Sequence, residues 1–466
     1  MGRNAQRRSH PSAPTARTDP SFFDRLRTQL GDEVDRLADA LLTVSPTSMR
    51  VNDAKWNGPA LERVPWCASG YHLAERPAFT FDPLLHAGCY YVQEASSMLL
   101  EQAVRASGLA GRRIIALDLC AAPGGKSTHL RSLLHSDALL VCNEIDRKRQ
   151  VVLQENLWKW GASNTVTTGS PPQRIEQLPA FFDLIVVDAP CSGEGMFRKD
   201  PFAGEQWSER LVDQCTAMQR DALTPAWESL RPGGVLVYST CTWEIQENEA
   251  QVERLIERGG TCIAIPADPT WGVVRSERFG VDALRCYPHR VKGEGFFIAA
   301  VRKPGEWTAH HASTNNGAVD GPVQWLKPTR SWATQEQSDG LFATDATWGR
   351  SLKSIQAAMN VLSPGIPLAE RKAGEWRPHH ALALAQDLDP SHFTRVPLGM
   401  DEALAYLRGH ALPAAQAQGI ALATYHDVAL GWLQGAGNRW NNRWPAPWRI
   451  RSQHPNAPLV SWSQAH

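Results

Sequence analysis

Residues 118–126 read Asp118-Leu-Cys-Ala-Ala-Pro-Gly-Gly-Lys126, and their surroundings decide the fold. The apolar, β-rich run 113–119 leads into this stretch and a helical pattern follows it, so a strand enters the Pro123-Gly124-Gly125 turn and a helix leaves it. A glycine turn there lets the backbone approach a ligand closely, and the helix N-terminus favours polar or anionic groups. Runs 138–143, 184–188 and 235–240 are further apolar strands, with helices predicted over 146–160 and 209–230, the second closed by Arg231-Pro-Gly-Gly234. Residues 294–302 read as a late strand. Strands alternating with helices predict an α/β domain with a parallel, doubly wound sheet.

One strand after the turn, Asn143-Glu144-Ile-Asp146 sets carboxylates at a strand end, where an acid accepts hydrogen bonds from both hydroxyls of a ribose. Glu144 is the candidate. A glycine turn plus a downstream acid would equally suit a nicotinamide dinucleotide, but the turn is not G-x-G-x-x-G and nothing resembles a Walker A sequence. A methyl-donor site is the better reading.

Two later strands each end on a cysteine, in Asp188-Ala-Pro-Cys191-Ser-Gly and Ser239-Thr-Cys241-Thr. In a parallel sheet both thiols then face the edge that carries the turn, which suits chemistry on cytosine. Carbon 5 of cytosine is a poor nucleophile until something adds covalently to carbon 6, and a thiolate does this well. After methyl transfer a base must remove the carbon 5 hydrogen before the thiol leaves, so a second group beside the nucleophile is useful. Asp188 can hydrogen-bond or protonate the ring edge. Asp-Ala-Pro-Cys also differs from the Asp/Asn-Pro-Pro-Tyr/Phe expected where an exocyclic amine is methylated. The other cysteines (Cys67, Cys89, Cys120, Cys142, Cys215, Cys262 and Cys286) read as small buried hydrophobes. The residues alone do not say which of Cys191 and Cys241 attacks.

With 466 residues, two or three domains are expected. Formal charge is zero, so nucleic-acid affinity must come from local basic patches. Nine cysteines, without CxxC or Cys/His ligand spacing, and no signal peptide or bilayer-length apolar run predict a reduced, cytoplasmic protein with no metal and no membrane partner. Residues 1–19 read as a disordered basic arm. Phe22, Leu26, Leu30, Val34, Leu37 and Leu41 recur at helical spacing and predict one helix leading to Ser45-Pro-Thr-Ser-Met-Arg50-Val-Asn52. Residues 304–335, rich in Thr, Asn, Gly, Pro and His, read as a linker. Near the C-terminus, residues 438–451 hold Arg439, Arg443, Arg449 and Arg451 with Trp440, Trp444 and Trp448 and no acid. That is the composition of an RNA surface, although the tryptophans could equally pack a core. Arg198-Lys199 and the segment 285–292, including His289, are further candidate RNA contacts.

Taken together, residues 118–126, Asp188-Ala-Pro-Cys-Ser-Gly-Glu-Gly-Met-Phe-Arg-Lys-Asp-Pro201, Arg231-Pro-Gly-Gly and Tyr238-Ser-Thr-Cys-Thr-Trp-Glu-Ile-Gln-Glu-Asn-Glu249 resemble the RNA (cytosine-5-)-methyltransferase family of the Nop/Sun group, most closely its RsmF-like ribosomal RNA branch. Residues 45–52 and Tyr91-Val-Gln-Glu-Ala-Ser-Ser97 resemble the family's N-terminal segments. The resemblance implies a Rossmann-like domain over 91–303 that uses S-adenosylmethionine, an N-terminal RNA-binding module over 20–90 and a PUA-like RNA-binding domain over 336–466. It implies that Cys241 is the nucleophile and that Cys191 assists product release. DNA cytosine methyltransferases use the Pro-Cys thiol instead, so the reverse order is the mechanistic rival. It also implies that Cys120, Ala121, Ala122, Pro123, Gly124, Gly125, Lys126, Glu144 and Asp188 meet the cofactor. The expected substrate is small-subunit ribosomal RNA, with transfer RNA as the alternative, and an inactive assembly factor as the alternative of another class. One departure is visible: where the family carries an adenine-contacting aspartate, this chain reads Thr168-Gly-Ser170-Pro171-Pro172.

Overall fold

Five parallel strands in the centre of the molecule set the position of everything functional. In the computed structural model, which describes residues 20–310, 321–337 and 340–462, they are β1 (Ile115–Asp118), β2 (Leu139–Asn143), β3 (Thr165–Thr168), β4 (Phe182–Asp188) and β5 (Leu230–Thr240). They run in the order β5-β4-β1-β2-β3, and β6 (Phe296–Arg302) pairs antiparallel with β5. The order reverses at β1, which lies between β2 and β4, so the crevice beyond its C-terminal end is the switch point where such sheets bind ligands. Successive side chains point to opposite faces. Ala116, Leu140, Val186 and Val237 accordingly enter one core, and Leu117, Val141, Ile185 and Leu236 enter the other. Helices cover both faces, which is why β1, β2, β4 and the second half of β5 read as continuous apolar runs; β3, Thr165-Val-Thr-Thr168, does not and was not among the expected strands.

Helix α1 (Gly125–Leu133) opens directly on the turn, and Gly124 precedes it with φ +112°, a conformation that favours glycine. Helix α2 (Arg147–Trp160) is capped by Asp146, which accepts from the amides of Lys148 and Arg149. Helix α3 (Glu209–Ser229) ends immediately before β5 begins. The Arg231-Pro-Gly-Gly234 segment, expected to close that helix as a loop, instead lies within β5. There Leu230 pairs with Phe182 and Val235 with Leu184, so a register shift absorbs the extra residues.

The single N-terminal helix expected from periodicity is two, Pro20–Leu30 and Glu33–Leu41, broken at Gly31 with φ +57°. The break keeps the apolar positions on one side. Phe22, Leu26, Val34, Leu37 and Leu41 all pack with Phe197, Trp207, Val212, Trp243 and Tyr287 from the loops after β4, β5 and their neighbours. A three-stranded sheet of Thr47–Val51, Gly70–Leu73 and Tyr90–Val92 follows.

Residues 332–442 carry two sheets, the first of them beginning within the expected linker 304–335, ahead of the expected C-terminal domain 336–466. Trp332–Gln337, Gly340–Asp345, Ile366–Lys372 and Glu375–Pro378 form the first. A five-stranded sheet between Thr394 and Asn442 forms the second. Between elements of the first sheet, Val361–Ser363 crosses over and pairs antiparallel with β3. The second sheet shares a core with the N-terminal module: Met49, Phe79, Phe81 and Tyr90 pack with Tyr406, Leu430, Trp440 and Trp444. Segments far apart in sequence therefore close on one another. Expectations for residues 1–19, and for the part of the linker at 311–320, fall outside the described residues. Among the described residues no helix is long and apolar enough to cross a membrane.

Candidate active site

The sequence signals converge at the C-terminal ends of β1, β4 and β5. Because β4 and β5 are adjacent and parallel, with Asp188 paired to Ser239, the residues that follow each strand emerge side by side. Cys191 Sγ and Cys241 Sγ lie 3.3 Å apart, both half-buried. Asp188 accepts from Ser239 Oγ at 2.8 Å and pairs with Lys126 Nζ at 2.8 Å. Lys126 is the second residue of α1, so the glycine turn delivers an ammonium to the cysteine pair. Burial alone would lower the Lys126 pKa, but the Asp188 carboxylate outweighs it and the net shift is upward. This ammonium keeps its charge at neutral pH.

Hydrogen bonding from Cys241, then burial, pushes the Cys191 thiol well above its ordinary value. Either sulfur can donate in this contact. Asp118, at the end of β1, is completely buried; burial raises it to about 7 although Ser127 Oγ donates to it at 2.7 Å.

The two cysteine loops are held by glutamates to which the sequence reading gave no role. Glu247 accepts from the Ser192 amide and from Gln219 Nε2, each at 2.9 Å. Glu194 accepts from the Trp243 amide at 2.6 Å and from Trp207 Nε1 at 3.0 Å. Ser192 and Thr242 hydroxyls meet at 2.9 Å, and the Gly195 amide donates to the Cys241 carbonyl at 2.7 Å. Each loop thus carries an acid that binds the backbone of the other. Burial raises both glutamates to about 7. The signal was present in Pro-Cys-Ser-Gly-Glu and in Trp-Glu-Ile-Gln-Glu, but spacing alone could not distinguish clamps from surface acids.

On the other side of the turn, Glu144 is buried, 3% exposed. Its Oε1 accepts from the Asp146 amide at 2.9 Å. Its Oε2 lies 3.2 Å from Arg149 Nη1 yet makes no aligned hydrogen bond. A buried carboxylate oxygen without a hydrogen-bond donor, beside a glycine turn, fits a ligand that brings hydroxyl donors. Side chains of α2 brace the turn: Arg149 Nη2 donates to the Ala122 carbonyl at 2.6 Å, and Asn156 Nδ2 to that of Pro123 at 2.8 Å. Cys120 is half-buried, and burial raises its thiol. Ala121 and Ala122 are buried and Pro123 is exposed.

Arg50, from the segment 45–52, is fully buried behind this turn. It donates to Gln93 Oε1 at 2.9 Å and Thr128 Oγ1 at 2.6 Å, and its guanidinium lies 4.4 Å from the Trp160 ring centroid. This part of the N-terminal module is a brace for α1. All three polar groups of Ser170 are engaged inside the protein: its amide donates to Asn143 Oδ1, its carbonyl accepts from Asn143 Nδ2, and its hydroxyl accepts from the Asn360 amide.

Several expected RNA contacts are likewise engaged inside the protein. Arg285 is buried in an ion pair with Glu249 and donates to the Trp243 carbonyl at 2.8 Å. The Arg198 side chain is buried against Glu294 at 3.0 Å, and His289 meets Glu33 at 3.0 Å. Lys199 is exposed. In the C-terminal patch Trp440 and Trp444 are core residues and Trp448 is half-buried. Arg439, Arg449 and Arg451 are exposed while Arg443 is half-buried.

Comparison with known proteins identifies the family and its domains. The family of the 16S rRNA methyltransferase RsmB/F matches residues 111–302, the N-terminal domain of 16S rRNA methyltransferase RsmF matches 19–95, and the methyltransferase RsmF PUA domain matches 393–450. The ribosomal RNA small subunit methyltransferase F of Aeromonas hydrophila is 31% identical over 430 residues, covering 87% of this chain and 88% of its own. That of Pectobacterium atrosepticum is 38% identical over 255 residues, 53% of this chain and 52% of its own. Among solved structures, a methyltransferase homolog from Pyrococcus horikoshii is 28% identical with a TM-score of 0.50, covering 61% of this chain and 99% of its own. The crystal structure of NSun6 from the same organism with SFG has 20% identity and a TM-score of 0.53, covering 62% and 99%, and shares the fold.

Proposed function

The chain belongs to the family of the ribosomal RNA small subunit methyltransferase F, and on that premise we propose that it methylates carbon 5 of a cytosine in small-subunit ribosomal RNA, in the cytoplasm, through a covalent bond between Cys241 and the base. The observation that carries this reading is the pair of thiols 3.3 Å apart beside the Lys126–Asp188 ion pair. A single buried cysteine has many explanations. Two half-buried ones at a ligand-binding sheet edge match a reaction that needs one sulfur to attack and another group to take a proton.

S-adenosylmethionine supplies the methyl group when bound. Glu144 would hold its ribose through the undonated oxygen, and residues 120–126, with Asp188, would hold the rest. Cys241 adds to carbon 6 as a thiolate. Its S–C bond pushes electron density toward carbon 5, and the Lys126 ammonium, held by Asp188, offsets the negative charge that develops on the ring. Cys191 gives its own proton to solvent before elimination and so stands ready as a thiolate base. Cys191 then takes the carbon 5 hydrogen. The ring double bond re-forms as the Cys241 S–C bond breaks, returning Cys241 as a thiolate. The base must be unstacked to meet both sulfurs, which favours an accessible loop over a closed duplex.

Single-turnover reactions with labelled S-adenosylmethionine and small-subunit ribosomal RNA test this order. Cys191→Ala should attack and methylate but stall before elimination, leaving a protein–RNA band on denaturing gels. Cys241→Ala should give neither band nor product. A band with Cys241→Ala and none with Cys191→Ala would reverse the roles, and full activity of Cys241→Ala would end the proposal. Transfer RNA in parallel reports the substrate class.

A further inference from the structure

Three side chains that sequence spacing kept apart meet beside α1. Cys67 precedes the strand Gly70–Leu73, Glu101 lies on the helix Leu100–Ala106 and His129 on α1. None is more than 3% exposed. Cys67 Sγ lies 3.7 Å from His129 Nε2, which lies 3.5 Å from Glu101 Oε2, and the three donor atoms fall within 4.8 Å of one another. As a hydrogen-bonded cluster this is poor. A nitrogen–oxygen separation of 3.5 Å is beyond the normal range of about 2.7 to 3.2 Å. His129 Nδ1 has no hydrogen-bond partner, and a completely buried imidazole satisfied so loosely is costly.

The spacing suits something between the three atoms. With metal–sulfur and metal–nitrogen bonds of about 2.3 and 2.0 to 2.1 Å, the edges of a tetrahedral zinc site are roughly 3.3 to 3.6 Å long. The observed separations approach these. Thiolate, imidazole and carboxylate are also the donor set that zinc takes.

We propose that Cys67, Glu101 and His129 form a structural site for a zinc-class divalent cation, which pins the N-terminal module to the helix that follows the cofactor turn. The surroundings support the donors. Arg105 Nε donates to Glu101 Oε1 at 3.0 Å, fixing the carboxylate with Oε2 toward the cluster. The Ala68 amide donates to Oε2 at 3.2 Å. Ser69 Oγ, 3.9 Å from Cys67 Sγ, is the nearest candidate for a fourth ligand. One thiolate and one carboxylate cancel the dication, so the site is electrically neutral beside the buried Arg50 guanidinium. Sulfur ligates as thiolate, so binding releases its proton.

The test uses the full chain, loaded with zinc and then dialysed, with metal content measured by mass spectrometry. Cobalt(II) loading adds a readout for sulfur, a thiolate-to-cobalt charge-transfer band. The expected result is one zinc per chain, a cobalt band that survives in the Cys191→Ala/Cys241→Ala double variant and disappears in Cys67→Ala, and loss of zinc in His129→Gln. A chelator should lower the melting temperature of the wild-type protein, and zinc should restore it. No zinc above the His129→Gln level, or a cobalt band that Cys67→Ala leaves unchanged, overturns the site. Should Cys67→Ala or His129→Gln fail to fold, the wild-type protein and the double variant decide alone: absence of zinc and of the band in both overturns it.

Discussion

Glu247→Gln should make the protein more stable at pH 8 and leave it nearly unchanged at pH 4. Glu247 is fully buried, and burial raises its carboxyl from 4.5 to about 7 against the hydrogen bonds that oppose it. The folded state therefore prefers the protonated form. A group raised above its unfolded value contributes its full stability below pH 4.5, loses it as pH rises through about 7, and contributes nothing further beyond. Moving one carboxyl from 4.5 to about 7 corresponds to about 3 kcal/mol at most. Glutamine matches the shape of the protonated acid, can still accept from the Ser192 amide, and does not titrate. The wild-type and variant stability curves should then meet near pH 4 and separate steadily to pH 8, where the variant leads by up to about 3 kcal/mol. Glu194, raised in the same way, remains in both proteins, so the variant's own decline becomes shallower without vanishing. Urea unfolding at half-unit pH steps, followed through the transition that contains the central sheet, measures the difference. A gap that is constant with pH, or one that closes as pH rises, would refute the reasoning and mean that Glu247 folds as a carboxylate.

Glu144→Ala should weaken S-adenosylmethionine binding about tenfold or more, since a charge-assisted hydrogen bond contributes roughly 1.5 to 3 kcal/mol; calorimetric titration showing unchanged affinity would move the ribose contact elsewhere. Lys126→Met should lower the rate of the chemical step far more than RNA affinity, because the charge it supplies matters as the ring becomes electron-rich; a change in RNA affinity alone would remove it from the chemistry. In the C-terminal patch, Arg439→Gln with Arg449→Gln should flatten the slope of log affinity against log salt by roughly 0.7 to 0.9 for every phosphate no longer neutralised, with little effect on base preference. A wild-type slope would make these arginines ordinary surface. Arg285→Gln should destabilise the protein, because it leaves the completely buried Glu249 without its partner, and cost about 3 to 5 kcal/mol in thermal or urea unfolding; a variant as stable as wild type would return Arg285 to the surface.

The sequence by itself determined the central domain. Four of its five parallel strands are buried on both faces and carry apolar runs, and its turn needs glycine, so both leave a local record that does not depend on what packs outside; the fifth, Thr165–Thr168, leaves none. The same holds for Cys191, Cys241, Asp188 and Lys126: each lies close to the end of a strand, and once the strands are parallel and adjacent their side chains have to meet at one edge. Where the record is not local, it failed. Phe22 to Leu41 keep helical periodicity across a glycine break, because two short helices on one surface present the same apolar positions as a single longer one. Arg198, Arg285 and His289 were candidate RNA contacts, and only the fold supplied the acids Glu294, Glu249 and Glu33 that engage them. Trp440 and Trp444 could have stacked on bases until the N-terminal module closed over them. Cys67, Glu101 and His129 show the same limit most plainly, with no ligand spacing among them: their donor atoms converge because a loop, a helix and α1 come from three places in the chain, and such proximity is a property of packing that no single stretch of sequence contains.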